Sequence, residues 1–409
     1  MKINKLMLTL AVAASAFAAC NKQETTPVVN EIGNKSIVLN IANVVTPTKA
    51  AGTEATVGKN QVVLNNYQIF FVDGNGKFYN PKDATASNAT VPTYFTVNEG
   101  DDLTHQFHFL DNNVTRVIVV GNKGADFAPA NEDDLWDALA NVQIADQQEQ
   151  NALILYGSDS SLEETDDHYI SEDAAEGVTG TDQHPSPVYK AVITLKPAVA
   201  RFEIVGYEYA QVMKDGVAQP REYASVTVEN QSLIGYYDSA SFTSEGEEDW
   251  TVTPGAITRQ NQTYTWDNVY QEYFLNEAAL DKTKWYFDTV SEVVLTNAAP
   301  VKALATLDEK TAIYAGNAYA YHVYPSTVEE KANVVPSFIF QISGSDGTIT
   351  TPMYLQTKSF TGLSAIEAGN VYQMNVKFDD SVLKAAEKCI DVEISVHEWV
   401  VTVVTPNFK

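Results

Sequence analysis

The chain has 409 residues, of which 44% are hydrophobic and 11% aromatic. That is enough apolar material to fill the cores of two or three domains, and it excludes a wholly disordered protein. The formal net charge is −27, and such a surface repels phosphate groups and anionic lipids, which argues against nucleic-acid binding. The only two cysteines, Cys20 and Cys389, look unrelated, so we expect no disulfide framework.

The first twenty residues have the pattern of an export signal. Two lysines precede an apolar run at residues 6–17, which is too short to span a bilayer. Small residues then lead into Cys20, an arrangement similar to the lipobox of bacterial lipoproteins, in which the cysteine is lipidated and becomes the new N-terminus. The alternative is an ordinary signal peptide with a chance cysteine. The polar residues 21–30 favour the lipoprotein, because lipoproteins usually carry such a tether.

The next segment predicts a strand followed by an exposed loop. Residues 36–45 alternate, and this places Ile37, Leu39 and Ile41 on one face of an extended strand. The small-residue stretch after this strand contains one basic residue, Lys49, directly before Ala50. Its proline and glycine indicate a loop that is open to solvent.

Short apolar segments separated by turn signals make up most of the remaining chain. An Asp-Gly-Asn-Gly run at residues 73–76 predicts a hairpin, and residues 133–141 are the best helix candidate. Residues 157–187 are acidic and predict a solvated loop at a domain junction. With so few helices, the pattern favours an all-β protein built from sandwiches.

The C-terminal segment is a hydrophobic strand with little chain left to cap it. Its alternation begins near Asp391, and the apolar residues continue almost to the end of the chain. An unpaired apolar edge is a liability unless it has a partner, so we expect this segment to pair with something. The residues that define it are Trp399, Val400, Val401, Val403 and Val404.

Residue patterns typical of catalysis or metal binding are missing from the sequence. None of the usual hydrolase, zinc-protease or nucleotide-loop motifs occurs. His105 and His108 are three apart in a strand pattern, so their side chains point to opposite faces and would not share a metal. Carboxylates at residues 159–173 could hold Ca²⁺, although a solvated acidic loop is the favoured interpretation. We therefore expect no enzyme, metal or cofactor.

Four segments together resemble the fimbrillins, or type V pilins. They are the lipobox at Cys20, the strand and loop at residues 36–52, the run at residues 195–202, and the terminus at residues 394–401. The resemblance implies two transthyretin-like β-sandwich domains, with a removable N-terminal strand and a C-terminal donor strand. It implies a signal peptide at residues 1–19 and a propeptide at residues 20–49. The N-terminal domain would then cover residues 50–187, and the C-terminal domain residues 188–409, with the donor strand at about 391–409.

The resemblance also implies an assembly route. A lipidated precursor reaches the outer membrane, and a trypsin-like protease cuts after a basic residue, here Lys49 rather than the arginine of the best-known members. The strand with Ile37 then leaves, and the terminal strand of a neighbouring copy takes its place. The implied partners are further copies of the chain, accessory fimbrial subunits and the protease.

The sequence is also compatible with two other functions. One is a tip or accessory subunit of the same fimbria. The other is a surface glycan-binding lipoprotein, which would keep its anchor at Cys20 and display exposed aromatic side chains. The N-terminus of the mature protein separates these possibilities, because a pilin would begin at Ala50.

Overall fold

A computed structural model describes the fold over most of the chain. The described residues are 35–42, 63–82, 90–98, 101, 103–149, 152–169, 186–243, 251–255, 285–308, 313–316, 319–327, 337–346, 350–361, 363, 365–384 and 389–398.

The first half is built from short strands, as their alternating and β-branched residues favour. In chain order these strands are β1 (Lys35–Ala42), β2 (Asn66–Asp73), β3 (Phe78–Tyr79), β4 (Tyr94–Thr96), β5 (Thr104–Leu110), β6 (Val114–Gly121), β7 (Val142–Gln143), β8 (Leu155–Asp159), β9 (Glu163–Tyr169), β10 (Ser186–Thr194) and β11 (Lys196–Pro197).

These strands form two main sheets. One has the order β5-β1-β10-β9, and the other has the order β11-β8-β6-β2-β3, with β4 also paired to β2. Side chains from the two sheets meet in a shared core, where the rings of Phe71 and Phe107 lie 4.9 Å apart. Gly157 lets β8 approach β10 closely, because a Cβ there would lie 2.5 Å from the Thr194 carbonyl oxygen.

The predicted hairpin and helix are both confirmed. The turn after β2 uses Gly76 at φ +77°, a backbone conformation that glycine adopts readily. Helix α1 (Glu132–Ala138) begins one residue earlier than predicted and ends three residues earlier. The Asn131 side chain caps it by accepting a hydrogen bond from the Asp134 amide. A 3₁₀ helix, Ile144–Gln147, follows β7.

The second half contains one large sheet and several small ones. Its strands are β12 (Ala200–Tyr209), β13 (Met213–Lys214), β14 (Val217–Ala218), β15 (Ser225–Ile234), β16 (Ser239–Thr243), β17 (Thr251–Pro254), β18 (Phe287–Thr296), β19 (Val301–Ala303), β20 (Ala305–Asp308), β21 (Ile313–Gly316), β22 (Tyr319–Val323), β23 (Ser326–Thr327), β24 (Ser337–Ser345), β25 (Thr350–Thr361), β26 (Ala365–Ile366), β27 (Asn370–Phe378) and β28 (Cys389–Glu398), with a short helix α2 (Asp380–Lys384) before β28.

The large sheet has the order β18-β15-β24-β25-β28-β27-β12-β19, and β22 pairs with β12 as well. Its buried face is rich in aromatic rings, such as Phe202 and Tyr372, whose rings stack 5.1 Å apart. The chain is therefore mostly β-strand, in agreement with the predicted fold class. The transthyretin-like arrangement of two sandwiches stays a prediction.

The acidic segment differs from its prediction as a solvated loop. Glu163, Glu164, Asp166 and Asp167 lie in β9, which pairs with β10 at the outer edge of its sheet. These four carboxylates are exposed, so a strand can carry them without burying charge. Charged side chains on an edge strand also discourage other strands from pairing there.

The predicted domain boundary after Pro187 falls inside β10. This strand shares a sheet with β1, and β11 also pairs within the first half, through β8. The pairings change to the large sheet only with β12, which begins at Ala200. The predicted boundary thus falls within a strand of the first-half sheet, and the division of the chain into domains stays a prediction.

Candidate strand-exchange site

Strand β1 occupies an internal position in its sheet. On one side it pairs in parallel with β10, from Ser36 opposite Val188 to Ala42 opposite Thr194. On the other side it pairs antiparallel with β5, where Ile37 lies opposite Phe107. If β1 were absent, β5 and β10 would each expose an unpaired row of backbone N–H and C=O groups along one edge.

The inner face of β1 contributes to the core. Ile37 and Leu39 are completely buried, and Ile41 is 5% exposed. Burying three such side chains stabilises the sandwich by roughly 5–9 kcal/mol on area grounds. Loss of β1 would therefore leave both an open hydrogen-bonding slot and an apolar groove.

The N-terminal end of β1 is polar and irregular. Ser36 is buried, and its hydroxyl lies 2.9 Å from His108 Nδ1. The register with β5 shifts between Lys35 and Ile37, and Phe109 opposite this shift has φ +55°. A β-bulge of this kind interrupts the regular ladder, so hydrogen bonding is weaker at this end of β1.

The two histidines of β5 behave as predicted for residues on opposite faces. His105 stacks on Phe95 with ring centroids 4.3 Å apart, while His108 contacts Ser36. Burial lowers the pKa of His108 to about 4. Within the described parts of the chain, no group of three or more His, Cys, Asp or Glu side chains is placed to hold a metal ion.

Strand β28 contains the first part of the predicted donor strand. It pairs in parallel with β25 and antiparallel with β27, where Asn370 lies opposite Glu398. The two pairings cover different parts of the strand, since residues 389–393 pair with β25 and residues 393–398 pair with β27. Residues 391–398, the first part of the predicted donor strand, thus pair within their own chain, and the donor role of the C-terminal segment stays a prediction.

Several predicted site residues lie outside the described residues. They are Cys20 of the lipobox, Lys49 and Ala50 of the cleavage loop, and Trp399, Val400, Val401, Val403 and Val404 of the donor strand. Their roles stay predictions. Among the described helices, none has the length and apolar character needed to cross a membrane.

Sequence reasoning missed a buried polar cluster that joins the first and second halves of the chain. His322 on β22 is 1% exposed, and its Nδ1 lies 2.7 Å from the Gln147 carbonyl oxygen of the 3₁₀ helix. Its Nε2 lies 3.2 Å from the guanidinium of Arg201, which in turn pairs with Glu203 at 2.8 Å. Because Arg201 can only donate, Nε2 must accept and Nδ1 must carry the proton. His322 is thus held neutral.

This cluster makes the fold sensitive to acid. Burial first, and then the Arg201 charge, lower the pKa of His322 from 6.5 to about 3. The unfolded chain therefore binds the proton more readily than the folded chain, and stability falls as the pH drops from about 6.5 toward 3. We expect His322 to contribute a loss of about 2 kcal/mol in unfolding free energy between pH 7 and pH 5.

The measurement is denaturant unfolding of wild type and His322→Gln at both pH values. The glutamine cannot titrate, so the variant should lose about 2 kcal/mol less on acidification than wild type. Equal losses in the two proteins would contradict a neutral, buried His322.

No protein-family model and no curated protein matches this chain. Solved structures do resemble it. One is a candidate cell adhesion protein from Parabacteroides distasonis, with a TM-score of 0.49 at 10% identity, over 91% of this chain and 99% of that one. Another is a fimbrilin, FimA, from Porphyromonas gingivalis, with a TM-score of 0.47 at 11% identity, also over 91% and 99%.

A second candidate cell adhesion protein from Parabacteroides distasonis has a TM-score of 0.47 at 10% identity, over 91% of this chain and all of that one. At such low identities and TM-scores, these matches say what the chain is similar to. Its function has to be inferred from its own residues.

Proposed function

We propose that this chain is a structural subunit of an adhesive fimbria, made as a lipoprotein precursor and polymerised by protease-triggered donor-strand exchange. The observation that carries the proposal is the position of β1. This short strand near the N-terminus lies in the middle of a sheet between β5 and β10, and Lys49 follows it in the sequence.

The position of β1 makes it separable from the rest of its sheet. Its partner strands lie far along the chain, and most of the contacts that hold it are backbone pairing and the burial of three apolar side chains. A cut after Lys49 would end its covalent connection to the following strands. Strand β1 could then be lost while β5, β10 and β9 keep their remaining pairings.

The vacated slot suits an extended apolar segment. Backbone groups of β5 and β10 would supply hydrogen bonds, and the groove left by Ile37, Leu39 and Ile41 would accept alternate side chains. Residues 399–404 of a second copy are apolar except for Thr402 and follow directly on β28. They match the chemistry of this slot.

Such a contact joins different surfaces of the two partners. The donor segment follows the large sheet of one copy, and the slot lies in the first half of the next copy. A head-to-tail contact of this kind repeats into a filament when it does not close into a ring. The acidic edge strand β9 would disfavour addition of the donor at the wrong edge.

The test is N-terminal sequencing of the mature protein isolated from the cell surface. The proposal predicts a first residue of Ala50, because β1 and its lipid anchor would have been removed together. A mature protein that begins at a lipidated Cys20 would contradict it and would favour a retained surface lipoprotein. A chain that begins at Ala50 but is found only at filament ends would be a tip or accessory subunit.

A further inference from the structure

Strand β1 buries a lysine on the face that packs against the core. Side-chain alternation places Lys35 on the same face as Ile37 and Leu39, and Lys35 is 8% exposed. Its Nζ donates to the Val114 carbonyl oxygen at 2.5 Å and lies 4.1 Å from the centre of the Tyr189 ring. The ammonium group of Lys35 thus lies between β6 and β10.

The surroundings of this ammonium only partly compensate for its lost hydration. The Glu164 carboxylate accepts a hydrogen bond from the Tyr189 hydroxyl at 3.2 Å, and its negative charge favours the cation. Burial has the larger effect and lowers the pKa of Lys35. A buried charge in this situation is a weak stabiliser, and an apolar side chain of similar size often holds a fold together better.

We infer that Lys35 limits how tightly β1 is held between β5 and β10, and so keeps β1 exchangeable for an apolar strand of a second copy. This inference rests on the proposed function. It names a residue that affects whether β1 or the strand of a second copy occupies the place between β5 and β10. The buried Ser36 and the β-bulge beside it lie at the same end of β1. Residues 399–404, in contrast, contain no charge, so the incoming strand need not bury one.

Lys35→Met is the variant that tests this role. Methionine keeps the length of the side chain and removes the charge. Lys190→Met is the matched control, because Lys190 lies on the neighbouring strand β10, opposite Val38, and is exposed. Lys35→Arg is the conservative variant and keeps the charge on β1.

The full-length chain is cut in the loop by limited trypsin treatment, and release of the β1 fragment is followed by size exclusion and mass spectrometry. Lys35→Met should slow release at least about fivefold. Lys190→Met should leave the rate within about twofold, as expected for an exposed side chain. Lys35→Arg should release β1 at least as fast as wild type.

Raising the pH gives a second measurement. Deprotonation of Lys35 should slow release from wild type and leave Lys35→Met unaffected. The other titratable groups that face Lys35 are Glu164, Tyr189 and, beside Ser36, His108. Burial raises the pKa of the Tyr189 phenol and lowers the pKa of both His108 and Lys35.

Equal or faster release from Lys35→Met, or a failure of that variant to fold, would overturn the inference, since either result means that Lys35 stabilises β1. The proposed function fails separately, if cut wild-type protein never releases β1. In that case the inference is still tested by the uncut chain, whose unfolding midpoint in denaturant should be higher for Lys35→Met than for wild type. An unchanged or lower midpoint would overturn it.

Discussion

A chain that ends at Trp399 is expected to fold normally and to form no filaments. Strand β28 ends at Glu398 and pairs with β25 and β27 through residues before that point, so deletion of residues 400–409 removes none of the described strands. Without those residues, however, a subunit has nothing to place between β5 and β10 of its neighbour. We expect circular dichroism like that of wild type, together with a complete loss of filaments in electron microscopy after protease treatment.

Mixing truncated and intact subunits makes this test sharper. A truncated subunit still has its slot, so it can accept a donor strand but cannot provide one. Added in small amounts to intact protein, it should stop each growing filament at one end and shorten the filaments in proportion to its share. Long filaments from truncated protein alone would show that assembly does not use this terminus.

Single substitutions then address which face of the donor strand enters the groove. Val401 and Val403 share the face of Trp399, and we predict that this face points inward. Each fully buried valine contributes roughly 1.5–3 kcal/mol, so Val401→Asp should prevent assembly at protein concentrations where wild type polymerises. Val400→Asp, on the opposite face, is the matched control and should have a milder effect.

Lys49→Ala is expected to stop assembly at the step before exchange. Without the cut, β1 remains part of the chain and keeps its place between β5 and β10, with Ile37 and Leu39 fully buried. The protein should stay a soluble monomer after protease treatment, while wild type loses its first 49 residues and polymerises. Mass spectrometry of the treated chains and electron microscopy measure the two results.

Lys59→Ala provides the control, since Lys59 is the next basic residue after Lys49. It should be cut and should assemble as wild type does. Normal filaments from Lys49→Ala would mean that the cut lies elsewhere, and loss of filaments from Lys59→Ala alone would move the site to Lys59. Either result would leave the role of β1 intact and correct only the position of the cleavage.

The existence of most strands follows from local sequence, because burial on one face of a strand imposes a period of two on its own residues. Ile37, Leu39 and Ile41 show this period clearly, and β1 was predicted within a few residues of its ends. The turn at residues 73–76 and helix α1 are equally local, since a tight turn and a helix cap each involve neighbouring residues. The lipobox, too, is a contiguous signal.

Strand β9 had no such signal, since its carboxylates disfavour strands by propensity. Its pairing with β10 decides its structure, and the register joins Glu164 to Tyr189, which is 25 residues further along the chain. Residues 391–398 illustrate a related point. A hydrophobic strand pattern looks the same whether the strand is paired inside its own sheet or offered to a neighbour.

Sequence alone therefore determined the strand-rich character of this protein, the position of β1 and the apolar C-terminus. Only the tertiary structure decided that β1 lies between β5 and β10, that Lys35 is buried beneath Tyr189, and that His322 links the two halves of the chain. Those contacts join residues far apart, with His322 and Gln147 separated by 175 positions. A buried polar side chain is stable only where its partners surround it, and such partners leave no periodic trace in the sequence around it.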